Sequence, residues 1–510
     1  MYTNMLLGLL SFALVVVCLR FLLQLLKKEH RHRQLLQHVA PNVSQIPIIG
    51  GVWQMRDFQP DNLHEKFAEY VKRYGRSFVA TTFGRMVLVT ADPKHVDALL
   101  LSKQHLRKSI VYFALDGWLG NGLLLSRGEH WHAMRKIITP SFHFNILEQY
   151  VKIFDRQCNV LVSKLKPLAA TDTDDAQAFN IYPYMCLTAL DIISEAAMGV
   201  SLDAQENVEA PVVQAVKDVT NILATRFMRP HLLPPLFFRL LWPSGYRKQW
   251  MGIKCLHDFT DNIIKRRCQL LHTEEQRTAL LDTLLQARLD GAPLTDAQIR
   301  DEVSTFIFAG HDTTTSAASF CLYLLSRHAA VQQRLYEELH SHYGKDVDRS
   351  VVHADFAELP YLHCVIKESL RLFPPIPAVG RLLERDLPLD GTDKTGAARV
   401  PAGTNVLILL WQLQRDAQLY VEPLRFWPER HMDNKMTDAG SGKFAASYIP
   451  FSAGLRNCIG QRFALLELKT ILIKMLQHFE LLPLGVDVKP SIKIVLRSAT
   501  GVNLGLRMRA

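Results

Sequence analysis

The chain has no Cys-x-x-Cys and no closely spaced cysteine pair; its eight cysteines fall at 18, 158, 186, 255, 268, 321, 364 and 458. That spacing argues against a zinc or redox-dithiol site. Several of them lie in apolar, helix-like surroundings, which fits reduced, buried thiols in a chain facing the cytosol. There is no internal repeat, no low-complexity tract, and no linker-like stretch beyond the N-terminal 60 residues. The polar run 169–177 reads as a surface loop. Basic residues are not interleaved with aromatics, so nucleic acid is not an expected partner. The net charge of +10 suits an acidic partner or an anionic membrane surface, or marks a solvated basic face. What is present is ordinary for a globular protein: 510 residues, 48% hydrophobic and 21% charged, enough to bury a large core.

No Lys or Arg precedes the first apolar run, Met5–Leu26, which is interrupted only by Ser11, Arg20 and Gln24. As a helix it spans about 33 Å, close to a bilayer core. Lys27, Lys28, Arg31 and Arg33 follow at once, so the positive-inside rule puts the rest of the chain in the cytosol. A signal peptide would carry its charges before the run and a small-residue cleavage site after it, and a mitochondrial presequence would be amphipathic and rich in Arg and Ser. Neither description applies. Arg20 is costly within a span unless it snorkels from near the end. The expected organisation is an anchor over 5–26, a basic and proline-containing linker over 27–60 (Pro41, Pro47, Gly50), and one large folded domain over 61–510.

Near the C-terminus the chain reads Phe451-Ser-Ala-Gly454-Leu-Arg456-Asn-Cys458-Ile-Gly460. A lone cysteine usually packs as a small inert hydrophobe. Here it sits in a loop with two glycines and an arginine two residues before it. The pattern Phe-x-x-Gly-x-Arg-x-Cys-x-Gly has five fixed positions, with chance odds of about 10⁻⁴ in a chain this long. It resembles the signature of the cytochrome P450 monooxygenases. The resemblance implies a mainly α fold with a small β region, and non-covalent haem b with Cys458 as the axial ligand to iron. Phe451, Gly454 and Arg456 belong to the same cofactor-binding loop. In that family the thiolate pushes electron density onto the iron and favours O–O cleavage.

Other segments follow the same pattern. Trp131 and Arg135 are four apart and share a helix face; the resemblance assigns both to a haem propionate, along with Arg381 and Arg456. Thr295 and Gln298 form a capping box that opens a helical pattern of about 32 residues, to Arg327. Its middle reads Ala309-Gly310-His311-Asp312-Thr313-Thr314. Thr313 can bond back to the Ala309 carbonyl and bend the helix. That bend is either a tolerated kink or a groove beside the iron. This hexad resembles the family's oxygen-activation motif, which implies that Ala309 and Gly310 border the haem while Thr313 and Asp312 deliver protons. Glu368 and Arg371 are an i, i+3 pair on a helix opened by Pro360. The resemblance adds Arg430 as a third, structural member. Gln461–Phe479 reads as a helix under the haem, with Lys469 and Lys474 as candidate outward residues where a reductase could dock. Segments 111–119 and 227–242 read equally as cavity lining and as core packing.

Trp131–Leu147, Leu190–Gly199 and Glu302–Thr314 are similar to the branch that contains fatty-acid ω-hydroxylases and many insect members. Typical members of that branch carry Asp at position 304, Glu at 309 and His at 414; this chain has Ser304, Ala309 and Gln414. That Glu can form an ester with a haem methyl, and Ala309 cannot. The resemblance implies insertion of one oxygen atom from O₂ into an apolar substrate: a fatty acid, steroid, terpenoid or xenobiotic. It also implies NADPH–cytochrome P450 reductase as partner, cytochrome b5 as a second donor, and the endoplasmic reticulum membrane as location. Two rivals share the fold: an isomerase or dehydratase acting on a peroxide without O₂, and a non-enzymatic haem sensor. An intact Asp312–Thr313 pair has no use in either.

Overall fold

The computed structural model describes residues 2–509 apart from 45, 48–49, 83–84, 173, 208–210, 271–278, 390–397 and 433–446. Part of the expected linker, at 45 and 48–49, therefore lies outside the described residues.

The fold is mainly helical with small sheets, as expected. Its axis is the long helix Asp296–Arg327. This helix starts where the capping box places it: Gln298 N–H donates to Thr295 Oγ1, and Gln298 Oε1 accepts from Thr295 N–H. It is buried along most of its length. It packs most extensively on Tyr182–Ala196, and also on Pro243–Leu270, Pro360–Leu372 and Gln461–His478. A four-stranded sheet lies to one side, ordered Ser77–Thr82, Arg85–Thr90, Asn405–Leu409, Ala378–Leu382. Its first and last pairings are antiparallel and its central one parallel. A hairpin of Pro490–Ile492 and Leu496–Ser498 returns the C-terminal region to the long helix.

The N-terminal helix runs Tyr2–Leu36, and its apolar part is long enough to cross a membrane, with none of the apolar window buried. The basic stretch expected to be linker continues this helix. Leu36, Ala40 and Val43 then pack into the core beside the four-stranded sheet, and Asn42 bridges Val79. Residues 36–44 are thus fastened to the folded domain.

Lys474 corrects the sequence reading. It is fully buried, with Nζ donating to the Arg349 carbonyl at 2.9 Å and paired with Asp155 at 3.1 Å. Helical periodicity gives the face of a residue but not what packs against that face, and here the helix Phe144–Leu165 covers it. Lys469 is half-buried, with Nζ donating to the Phe356 carbonyl at 3.4 Å.

Candidate active site

The loop from Phe451 to Gly460 is shaped by its backbone. The Cys458 N–H donates to the Phe451 carbonyl at 2.9 Å, closing the turn. Gly454 has φ +69°, and a Cβ there would lie 1.9 Å from the carbonyl oxygen of Leu100. Any other residue would force the loop off that helix end. Gly460 has no such constraint, since the nearest atom to a Cβ there is Phe142 Cε1 at 3.8 Å.

Cys458 is enclosed by the fold yet exposed, because its thiol faces a cavity of about 2000 Å³. Cys458, Phe451, Arg456, Trp131, Arg135, Ala309 and Thr313 all line this one cavity. They come from three separate regions of the chain. The walls are mostly apolar, and they include Phe21 and Leu25 of the N-terminal helix with Phe237 and Leu241. Tyr112 and Phe113 line it, whereas Trp118 packs into the core against Phe308 at 4.6 Å. Burial pushes the Cys458 thiol up. The Gly460 N–H and the charges of Arg135 and Lys108 pull it back toward thiolate.

Four cations gather around this end of the cavity. Arg456 stacks on Trp131, its Cζ 4.2 Å from the ring centre, and donates to the Leu123 and Ser126 carbonyls. Arg135 donates to the Asn457 carbonyl at 3.1 Å and to its Oδ1 at 2.9 Å. Arg381 is buried on its strand, and its backbone bridges to Lys108. Among the described residues, no carboxylate lies within ion-pair distance of any of the four. Arg456 Nε is buried with no partner. Burial and repulsion by Arg381 and Arg135 lower Arg456 to about 9. Burial and repulsion by Arg381 and Arg456 hold Lys108 well below an ordinary amine. Buried like charges without counter-ions are unfavourable, so this donor set fits a dianion such as the two propionates of a haem. Lys108 was not legible in the sequence, because nothing local distinguishes it from a surface lysine.

On the long helix, Thr313 Oγ1 donates to the Ala309 carbonyl at 2.7 Å, and both residues face the cavity. Gly310 does not line it. A Cβ at Gly310 would lie 2.7 Å from Ile193, so this glycine permits close helix packing. Asp312 also points away, since successive helical side chains diverge by about 100°. It is 1% exposed and accepts from Arg497 Nη2 at 2.8 Å and from Tyr182 OH at 3.3 Å. Asp312, expected to deliver protons beside Thr313, thus faces Arg497 and Tyr182 and not the cavity.

Beneath the loop, Glu368 is a buried hub. It accepts from Arg371 Nε and Nη2 at 2.9 and 2.8 Å, from Arg430 Nε at 2.9 Å and from the Trp427 N–H at 3.0 Å, with His431 Nε2 at 2.9 Å. Burial alone would raise its pKa, but these partners outweigh it and bring the carboxyl down to about 2. His431 is an additional member; burial keeps it below its ordinary pKa. Gln414 joins the same layer. Its amide donates to the Leu370 and Arg371 carbonyls, and its oxygen accepts from the Ile449 N–H two residues before Phe451.

The cytochrome P450 family model matches residues 41–502. The chain belongs to the cytochrome P450 family. It is 60% identical over 511 residues to cytochrome P450 4ae1 of Drosophila melanogaster, covering 99% of this chain and 100% of the relative. It is 45% identical over 488 residues to cytochrome P450 4d2 of the same species, covering 92% and 94%. A third relative, from Drosophila mettleri, is named cytochrome P450 4e5, mitochondrial, and is 36% identical over 456 residues, covering 86% and 83%. These relatives place the chain in family four. P450s bind haem b through an axial cysteine thiolate, and the chain is a P450 monooxygenase.

Proposed function

We propose that this P450 inserts one oxygen atom from O₂ into an apolar substrate, with NADPH electrons supplied through a reductase partner. Cys458 is the axial ligand. Arg135, Arg381, Arg456 and Lys108 would neutralise the propionates, and Trp131 holds the Arg456 guanidinium in place. The observation that carries the reading is a thiol and a helical threonine facing one apolar cavity whose cations have no carboxylate within ion-pair distance among the described residues.

Haem, when bound, would supply the site of O₂ activation in this largely apolar cavity. The chain's own residues do the rest. Apolar walls bind the substrate and exclude water. The Thr313 hydroxyl stands on the cavity wall, able to hold a proton or a water there, and Asp312, one residue before it, resupplies it only after turning from Arg497. Glu368, Arg371, Arg430 and Gln414 brace the loop that carries Cys458.

Ala309 offers no carboxylate, so the haem is held without a covalent ester. The bare N-terminal span followed by basic residues supports an endoplasmic reticulum anchor with the catalytic domain in the cytosol. An NADPH-dependent turnover assay in reconstituted membranes tests the reading. A substrate is first found by ligand-induced spin shift among fatty acids, steroids, terpenoids and xenobiotics. Product formation without NADPH and reductase would favour the isomerase alternative.

A further inference from the structure

The turn of the C-terminal hairpin, Lys493, Ile494 and Val495, lines the cavity. The two residues after it are fastened to the long helix. The Leu496 carbonyl accepts from Ser316 Oγ at 2.7 Å, and Arg497 Nη2 donates to Asp312 Oδ1 at 2.8 Å. Asp312 and Ser316 are four apart and present the same helix face to the strand. One side of this turn of helix therefore holds the substrate wall, and the adjacent side carries Thr313.

The Arg497–Asp312 contact differs from the two-pronged buried pairs of the fold. Arg267 grips Asp282 with two prongs, at 2.7 and 2.8 Å, and Arg371 grips Glu368 with two, at 2.9 and 2.8 Å. Arg497 reaches Asp312 with one. Asp312 Oδ2 and Arg497 Nε are both buried without a partner. An arginine–carboxylate pair is strongest as a closed fork, and this one is held open by where the strand places Arg497.

We propose that Arg497 is a positioning residue that couples the cavity-lining turn to Asp312, so that pressure on Ile494 or Val495 sets how firmly the carboxylate is held. Asp312 touches neither the cavity nor Thr313's wall while Arg497 holds it. A substrate that shifts the turn loosens or closes the fork, and so decides whether Asp312 can turn toward Thr313. The coupling rests on the proton-handling part of the function proposed above. It adds a substrate sensor that lies outside the contact set of the acid itself.

The test is a double-mutant cycle between Ile494→Trp, which fills the cavity at the turn, and Arg497→Gln, which removes the contact. The first readout is hydrogen–deuterium exchange of the peptide 309–316, which needs no turnover. Ile494→Trp is expected to change its exchange several-fold, and to change nothing further when Arg497→Gln is already present. The second readout is product formed per NADPH consumed with the substrate found by spin shift. Ile494→Trp is expected to shift this ratio several-fold in wild type and to leave it unchanged once Arg497→Gln is present, and Arg497→Lys, which keeps a cation within reach, to restore most of the response. If Arg497→Gln does not fold, Asp312→Asn breaks the same contact from the other side and enters the exchange cycle in its place. Additive effects on exchange would overturn the coupling. A wild type that consumes no NADPH would instead overturn the monooxygenase reading, with the exchange cycle still deciding the coupling.

Discussion

Replacing Glu368 with Gln removes an anion that serves two buried arginines. Arg371 and Glu368 have no exposed side-chain surface, and Arg430 has 4%. No solvent screening therefore reduces the effect. The gap between an ordinary 4.5 and about 2 converts, at about 1.4 kcal/mol per pKa unit, to roughly 3 kcal/mol. The cost of breaking a buried ion pair by removing one partner is about 3–5 kcal/mol, which agrees. The sign follows from the direction of the pKa. A depressed carboxyl stabilises the fold fully above its unfolded value near 4.5, and the contribution is lost as pH falls from there toward 2. Urea unfolding of the full chain in detergent, followed by tryptophan fluorescence, measures it. Glu368→Gln should be less stable than wild type by about 3 kcal/mol at pH 7, and the difference should shrink as pH drops below about 4.5. A difference under about 1 kcal/mol at pH 7, or one that widens on acidification, would refute the hub as described.

Haem should leave the polypeptide under acidic organic extraction, because Ala309 supplies no carboxylate; haem that stays with the chain in a denaturing gel would contradict this. Thr313→Ala should keep NADPH consumption, raise hydrogen peroxide and lower product per NADPH by roughly 10²-fold, the lower end of general-acid contributions; an unchanged ratio would leave Thr313 as a packing residue. Deleting residues 1–26 should release much of the protein from membranes but leave a fraction bound, because Leu236, Phe237, Leu240 and Leu241 are exposed on one short helix and can rest in the interface. Complete release on carbonate-free flotation would remove that helix from the membrane contact.

Local pattern carried much of this site. The capping box at Thr295, the Pro360 start and the Thr313 back-bond to Ala309 are short-range, and sequence spacing specifies them. The Glu368–Arg371 pair is local too, and family resemblance brought in Arg430 from 62 residues away. What sequence did not disclose is set by packing between distant segments. Lys108 joins the cation cluster only because Arg381 and Arg456 stand beside it. His431 and Gln414 are ordinary polar residues until they meet Glu368 and Ile449. Asp312 and Lys474 were given the wrong surroundings for the same reason: periodicity fixes a direction, and the partner waiting there, Arg497 or Asp155, comes from elsewhere.

The central claim is that Cys458 binds the haem iron as a thiolate. The direct measurement is the absorption spectrum of the reduced carbonyl complex, for wild type and Cys458→Ser, in the full-length membrane protein. The wild type should show the red-shifted Soret band for which the family is named, and the serine variant should lose it. A serine variant that keeps that band would show that another residue is the ligand.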